Sequence, residues 1–283
     1  MNLNTIYQGD CLDLFQQVPD NFAQLTFADP PFNVGKLYLA SCDRRPPEAY
    51  LDWCRGWLKE MVRVTKPSGS IVIHHIPYWL KYLGCFLDEI ADYHRWVVWD
   101  SMGLPQNQSL NLSHYGILCY AKNKSFHKSY ELRGRHNRCK TCGELVKDYG
   151  GKSPHAFGPL LSDCWADIHR IRHGKYRDDH PCQLPLHLLE RIILMTTDVG
   201  DLVLDPFMGT GASAIGAKRL GRNFLGFELC DQYVHLAQAK VEQEAMLSRL
   251  RDAYVSFQPG TKKVVTIRND DWPVLEKHVT TCS

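Results

Sequence analysis

Neither sign of charge dominates this chain. Its 33 Lys and Arg stand against 31 Asp and Glu, for a formal net charge of +2. Any nucleic-acid surface must therefore come from local clustering rather than overall charge. No apolar run approaches the length that crosses a bilayer, and no amino-terminal segment resembles a signal peptide, so neither a membrane nor export is expected. There is no internal repeat and no low-complexity tract. The eleven cysteines are odd in number and scattered, which favours reduced cytosolic thiols over a disulfide framework. What is present is 283 residues, 44% of them hydrophobic, enough for one large core with room for an inserted subdomain.

Short apolar runs alternate with amphipathic stretches. Strands are expected at 3–7, 24–28, 70–74, 95–99, 114–120, 202–204 and 223–227, and a further short one at 263–267. Helices are expected over 11–18, 79–91, 185–197, 212–220 and 231–251. Another opens at Pro46-Pro47-Glu48 and ends at Lys66-Pro67-Ser68-Gly69. Residues 33–45 read as a loop, mobile until substrate arrives. The alternation is an α/β signature with a mostly parallel sheet, and 114–120 pairs with 95–99.

The decisive stretch is Gln24-Leu25-Thr26-Phe27-Ala28-Asp29-Pro30-Pro31-Phe32-Asn33. A buried strand runs straight into a carboxylate, two prolines and an aromatic ring. Parallel strands hold their ligands just beyond their carboxyl ends, so Asp29 to Phe32 belong at the rim of a cleft. The prolines have fixed φ and no N–H to donate, so the turn is stiff and presents carbonyls. Two acceptors, the Asp29 carboxylate and the Pro30 carbonyl, beside the face of Phe32 suit an NH2 group on a conjugated ring.

A second strand-to-helix turn is Asp205-Pro206-Phe207-Met208-Gly209-Thr210-Gly211, and Glu228 closes the next strand. Glycines permit tight turning and close ligand approach, and an acid about twenty residues on reaches ribose hydroxyls. On its own this reads equally as a packing turn, or, through Gly209-x-Gly211-x-x-Ala214, as a dinucleotide site.

Between the two α/β segments the pattern breaks. Lys122, Lys124, Lys128, Arg133, Arg135, Arg138 and Lys140 form one basic cluster, and Arg170, Arg172, Lys175 and Arg177 another. Each is a solvated face or a phosphate-binding surface with interleaved aromatic residues. Cys139-Lys140-Thr141-Cys142-Gly143 has the form of half a zinc site, or of a reduced surface pair. No second Cys-x-x-Cys exists, and His127, His136, His155 and Cys164 are the remaining candidate ligands.

Together these residues resemble the DNA amino-methyltransferases, which methylate adenine N6 or cytosine N4 from S-adenosylmethionine. Asp29-Pro30-Pro31-Phe32 is similar to their catalytic motif, and Asp205 to Gly211 to their cofactor turn. His180-Pro181-Cys182-Gln183-Leu184-Pro185 resembles the segment that holds the methionine end. Leu184 stands where the commoner form has Lys, which makes Gln183 the candidate contact. Gly9-Asp10 resembles the acidic turn that accepts a hydrogen bond from the cofactor adenine. The motif order resembles the β-type arrangement, a circular permutation of the commoner one, over roughly residues 5–245.

The resemblance implies a Rossmann-like methyltransferase sheet, mostly parallel with an antiparallel edge hairpin. It divides the chain into a catalytic half at 1–121, an inserted target-recognition region at 122–178, a cofactor half at 179–252 and a tail at 253–283. It implies S-adenosylmethionine bound by Asp10, Asp29, Gln183, Asp205, Pro206, Phe207, Gly209, Gly211 and Glu228. The implied partner is double-stranded DNA with the target base flipped onto Phe32. Adenine N6 is preferred to cytosine N4, because an Asp-led motif is commoner there, and relatives that methylate glutamine carry Asn at the Asp29 position. A nicotinamide-dependent dehydrogenase and a non-catalytic nucleic-acid-binding protein are the rivals that the paired motifs argue against. The family implies a cytoplasmic enzyme of bacterial or phage type, and it is compatible with a homodimer and a cognate restriction endonuclease.

Overall fold

The computed structural model describes residues 1–37, 42–101, 113–123, 132–133, 161–171, 183–244 and 265–266. In chain order the strands are β1 (Thr5–Gln8), β2 (Ala23–Ala28), β3 (Thr65–His75), β4 (Asp92–Asp100), β5 (His114–Ala121), β6 (Leu132–Arg133), β7 (Cys164–Trp165), β8 (Leu202–Asp205), β9 (Asn223–Glu228) and β10 (Val265–Thr266). The helices are α1 (Cys11–Phe15), α2 (Pro47–Val64), α3 (Pro77–Leu87), α4 (Leu186–Thr196), α5 (Ala212–Arg219) and α6 (Asp231–Gln243).

Eight strands form one sheet in the order β1-β9-β8-β2-β3-β5-β4-β7. The run from β1 to β3 is parallel throughout, and β5 pairs antiparallel with both β3 and β4. β2 is buried at every position, as a parallel strand covered on both faces must be. Successive side chains point to opposite faces. Leu25, Phe27 and Val72 therefore join α4, α5 and α6 in one core, while Ala28, Ile71 and Ile73 join α1, α2 and α3 in the other. In α2, Tyr50, Cys54, Trp57, Leu58, Met61 and Val64 form the buried stripe that helical periodicity demands. Among the described residues no helix is long and apolar enough to cross a membrane.

Two expectations are corrected, and a third is met. Lys66-Pro67-Ser68-Gly69 is not a turn after α2 but the start of β3, reached directly from the helix. The pairing with β2 shifts register there. A Cβ at Gly69 would come within 2.6 Å of the Thr65 methyl and 2.8 Å of the Gln24 carbonyl, so glycine is required for that approach. The β4–β5 hairpin forms as expected but is not the edge, because β7 pairs parallel with β4 outside it. The short tail strand also exists, as β10, pairing with β6 in a separate two-stranded ladder.

Residues 161–171 are tied firmly to the sheet and α4. Arg191, fully buried in α4, makes two hydrogen bonds to Asp167 at 2.9 and 2.6 Å, and its guanidinium lies 5.0 Å from the centre of the Trp165 ring. The Trp99 indole donates to the Ile168 carbonyl at 2.7 Å. A buried cation needs a partner of this kind, since desolvation would otherwise outweigh its attractions.

Candidate active site

Four neighbouring parallel strands run in the same direction, so their carboxyl ends share one rim. Each delivers an acid there. Asp10 follows β1, Glu228 ends β9, Asp205 ends β8 and Asp29 follows β2, in that spatial order along the sheet. At about 4.8 Å per strand the row spans about 14 Å. All four line one cleft of about 220 Å³, together with Pro30, Pro31, Phe32, Gln183, Pro206, Phe207 and Gly209.

Local turns set each acid. The Asp10 carboxylate caps α1 by accepting the Leu12 N–H at 2.8 Å. Glu228 accepts the Gly209 N–H at 2.8 Å and the Cys230 N–H at 2.9 Å, which ties the glycine turn to the end of β9. Asp205 accepts from the Phe207 N–H at 2.9 Å and from the Ser213 hydroxyl. Gly209 has φ 53° and Gly211 φ 89°, the left-handed region open to glycine. Gly211 is not part of the cleft wall. A Cβ there would meet the Ala237 Cβ at 2.9 Å, so its role is to let α5 approach α6.

Burial pushes the Asp205 carboxyl up to about 7. The Ser213 and Phe207 hydrogen bonds pull against that rise, while Asp29 and Glu228 add repulsion. Burial also raises Glu228, against its backbone N–H bonds. Burial thus disfavours the charged forms of Asp205 and Glu228.

The acceptor turn is braced from beneath. The Tyr50 hydroxyl donates to the Pro31 carbonyl at 2.6 Å, and His75 Nε2 lies 2.7 Å from the same hydroxyl. His75 Nδ1 accepts the Ile76 N–H at 2.8 Å, which leaves Nε2 as the donor. Burial, with His74 alongside, holds the His75 pKa well below its ordinary value, so the ring is neutral. On the other side, His74 Nδ1 lies 2.7 Å from Asp29 Oδ1. Phe32 lines the cleft. It is 6% exposed and packs 4.6 Å from His75 and 5.8 Å from Tyr115 between ring centres, so it closes an aromatic wall.

The described part of the loop after Phe32 is pinned. Asn33 and Arg45 exchange hydrogen bonds at 3.0 and 2.6 Å. Buried Asp43 accepts the Lys36 and Val34 N–H groups at 2.7 and 3.3 Å. This brings Arg45, its guanidinium 4.6 Å over the Trp53 ring, into the cleft wall.

A sequence profile of the N6/N4 DNA methylases matches residues 23–239. The chain belongs to that family. The Type II methyltransferase M.BamHI of Bacillus amyloliquefaciens is 36% identical over 277 residues, which cover 96% of this chain and 66% of that protein, so the chain spans about two thirds of this relative's length. The DNA adenine methyltransferase YhdJ of Escherichia coli (strain K12) is 30% identical over 250 residues, 84% of this chain and 82% of that one. The solved structure of the cytosine-N4-specific PvuII DNA methyltransferase aligns with a TM-score of 0.62 over 93% of this chain and 95% of that one, at 18% identity, a likeness of fold. The Type II relatives put the methylase among the restriction–modification amino-methyltransferases.

The methylase's cleft fits the family's methyl donor, S-adenosylmethionine, a sulfonium cation carrying a nucleoside. The acid row answers the charge, and Glu228 and Asp10 supply acceptors at one end of it. Leu184 lines the wall without charge, as its sequence implies, beside Gln183.

The basic residues are placed less simply. The Lys122 ammonium donates to the Asn21 side chain and to the Arg63 and Thr65 carbonyls at 2.8, 2.9 and 2.9 Å. It sits at the amino ends of β2 and β3, the rim opposite the cleft, so its hydrogen bonds are internal. Arg170 is half-buried, and Arg133 lies in β6. Lys124, Lys128, Arg135, Arg138, Arg172 and Lys175 lie outside the described residues, as do Cys139 and Cys142. Among the described residues no group of three His, Cys, Asp or Glu is placed to hold a metal, and Cys164 is an exposed residue of β7. Sequence reasoning missed His74, His75, Tyr50 and Arg45. The one available signal was two consecutive histidines ending the apolar run Ile71-Val72-Ile73, at the end of a buried parallel strand where ligand sites form.

Proposed function

We propose that this methylase transfers the methyl group of S-adenosylmethionine to the N6 amino group of an adenine extruded from double-stranded DNA. The observation that carries the reading is Asp29, held at the head of the acid row with the Pro30 carbonyl beside it in a braced turn. Asp10 and Glu228 would hold the nucleoside end of the cofactor, and Asp205, Phe207 and Gln183 the amino-acid end. Bound there, the cofactor supplies an electrophilic methyl group.

An amino nitrogen conjugated into a base is a poor nucleophile. Asp29 and the Pro30 carbonyl would accept its two N–H bonds, drawing the nitrogen toward tetrahedral geometry and freeing its lone pair. As positive charge develops on that nitrogen, the Asp29 carboxylate stabilises it in a site shielded from water. The proton is then acidic and leaves to solvent. Because the nitrogen is out of reach within a duplex, the base must be flipped out, here against the aromatic wall that Phe32 closes.

The Asp-led motif and the likeness to YhdJ favour adenine. Residues 122–178, the basic clusters included, are the proposed target-recognition region. A zinc ion on Cys139 and Cys142 is proposed on their spacing alone, and metal analysis of the purified protein tests it. A homodimer, a cognate restriction endonuclease and a cytoplasmic site of action are proposed on the family resemblance alone. The principal experiment incubates the protein with labelled S-adenosylmethionine and DNA of known sequence, then analyses the nucleosides by mass spectrometry. N6-methyladenine is the expected product. N4-methylcytosine would move the target to the alternative base, and no methylated nucleoside would overturn the reading.

A further inference from the structure

Beneath the acceptor turn lies a histidine whose environment offers it little but one carboxylate. His74 is 1% exposed, walled by Phe32, Tyr115 and Trp99 with ring centres at 5.6, 5.0 and 5.5 Å. Its Nε2 is buried and makes no hydrogen bond among the described residues. An unsatisfied buried nitrogen is costly, and such a group in a native core calls for an explanation. Its one polar contact among the described residues is Nδ1 to Asp29 Oδ1 at 2.7 Å. A carboxylate only accepts, so Nδ1 carries the proton and donates.

The other half of the turn is already fixed. Pro30 and Pro31 have locked φ, and the His75–Tyr50 chain ends on the Pro31 carbonyl. What remains free is rotation of the Asp29 side chain. Asp29 Oδ2 makes no hydrogen bond among the described residues, and Asp29 lines the cleft.

We propose that His74 is a positioning residue, resting on the function proposed above: by occupying Asp29 Oδ1 it presents Oδ2 alone, in one orientation, to the substrate amino group. The tightly packed rings stop the imidazole from turning, so the carboxylate inherits their rigidity. The neighbouring His75 does not share this role, since it acts on a backbone carbonyl through Tyr50.

The test compares three variants at His74, each checked for thermal melting and for S-adenosylmethionine binding by calorimetry. His74→Leu keeps the volume and removes the donor. His74→Asn keeps a donor near the Nδ1 position, and His74→Gln moves it to the Nε2 position. Misplacing a reacting group by about 1 Å can cost about 10²-fold in rate. The expected result is a fall of about that size in single-turnover methylation for Leu and Gln, with DNA and cofactor KM little changed, and recovery to within about tenfold of wild type for Asn. Near-normal turnover in His74→Leu would overturn the proposal. So would equal loss in Asn and Gln, which is what a purely packing role produces, and that comparison stands even if the Leu variant fails to fold. A wild-type protein that methylates no amino group would defeat the proposed function and this inference with it. A wild type that methylates while the His74 series shows no Asn–Gln difference defeats the inference alone.

Discussion

Raising the pH through neutrality ionises Asp205, and this acid should make cofactor binding depend on pH in a defined way. Its carboxyl is moved from an ordinary 3.8 to about 7, chiefly by burial. The protonated form is therefore the one the folded chain favours. Its contribution to stability is full below about pH 4 and is lost as the pH rises through about 7. At about 1.36 kcal/mol per unit of pKa, that contribution is about 4 kcal/mol. A bound sulfonium would attract the ionised carboxylate, and at a separation on the order of 6 Å with an effective dielectric constant of about 20 the attraction would be about 3 kcal/mol. That lowers the bound-state pKa by about two units, to about 5. S-adenosylmethionine affinity should then rise about 10²-fold in total from well below about pH 5 to well above about pH 7, with most of the rise between those two values. Binding at about pH 6 should release close to one proton. Calorimetry in two buffers of different ionisation enthalpy measures both quantities. The demethylated product, which lacks the sulfonium, should show a shallower slope, and Asp205→Asn should flatten the curve. Affinity that is level between about pH 5 and 8, with no proton release, would refute the argument.

Other expectations are simpler. Asp29→Ala should lower methyl transfer by at least about 10³-fold while calorimetry finds cofactor affinity within a few-fold of wild type; near-normal transfer would remove Asp29 from the chemistry. Asp167→Ala leaves the fully buried Arg191 guanidinium without its carboxylate and should destabilise the fold by about 3–5 kcal/mol in denaturant titration, whereas Arg191→Met should cost far less. Gly211→Ala puts a Cβ on a residue at φ 89° and 2.9 Å from Ala237, and should destabilise the chain by about 1–3 kcal/mol.

The parts of the site that were legible in sequence are those carried by short contiguous segments. Asp29 to Phe32 and Asp205 to Gly211 each follow a strand directly, and a parallel strand's carboxyl end announces its own function. Glu228 was found for the same reason. What escaped depended on partners distant in the chain. His74 reads as the polar end of a strand until β3 is laid beside β2 and Asp29 appears next to it. Tyr50 lies on the apolar stripe of α2, and periodicity registers its ring and not its hydroxyl. Lys122 looked like the first of a basic cluster, yet its acceptors come from residues 21, 63 and 65, which only the fold gathers. Gly211 was grouped with its neighbour Gly209, and the close approach the fold adds there is to Ala237 of α6.

Lys122 and Asp167 also mark two anchor posts. One is moored by three hydrogen bonds at the foot of the sheet, the other by a buried guanidinium on α4. Whatever chain runs between the posts enters and leaves at points that the catalytic sheet dictates. On the target-recognition role proposed for this stretch, changes there would alter which sequence is recognised while leaving the acid row and its braced turn in place.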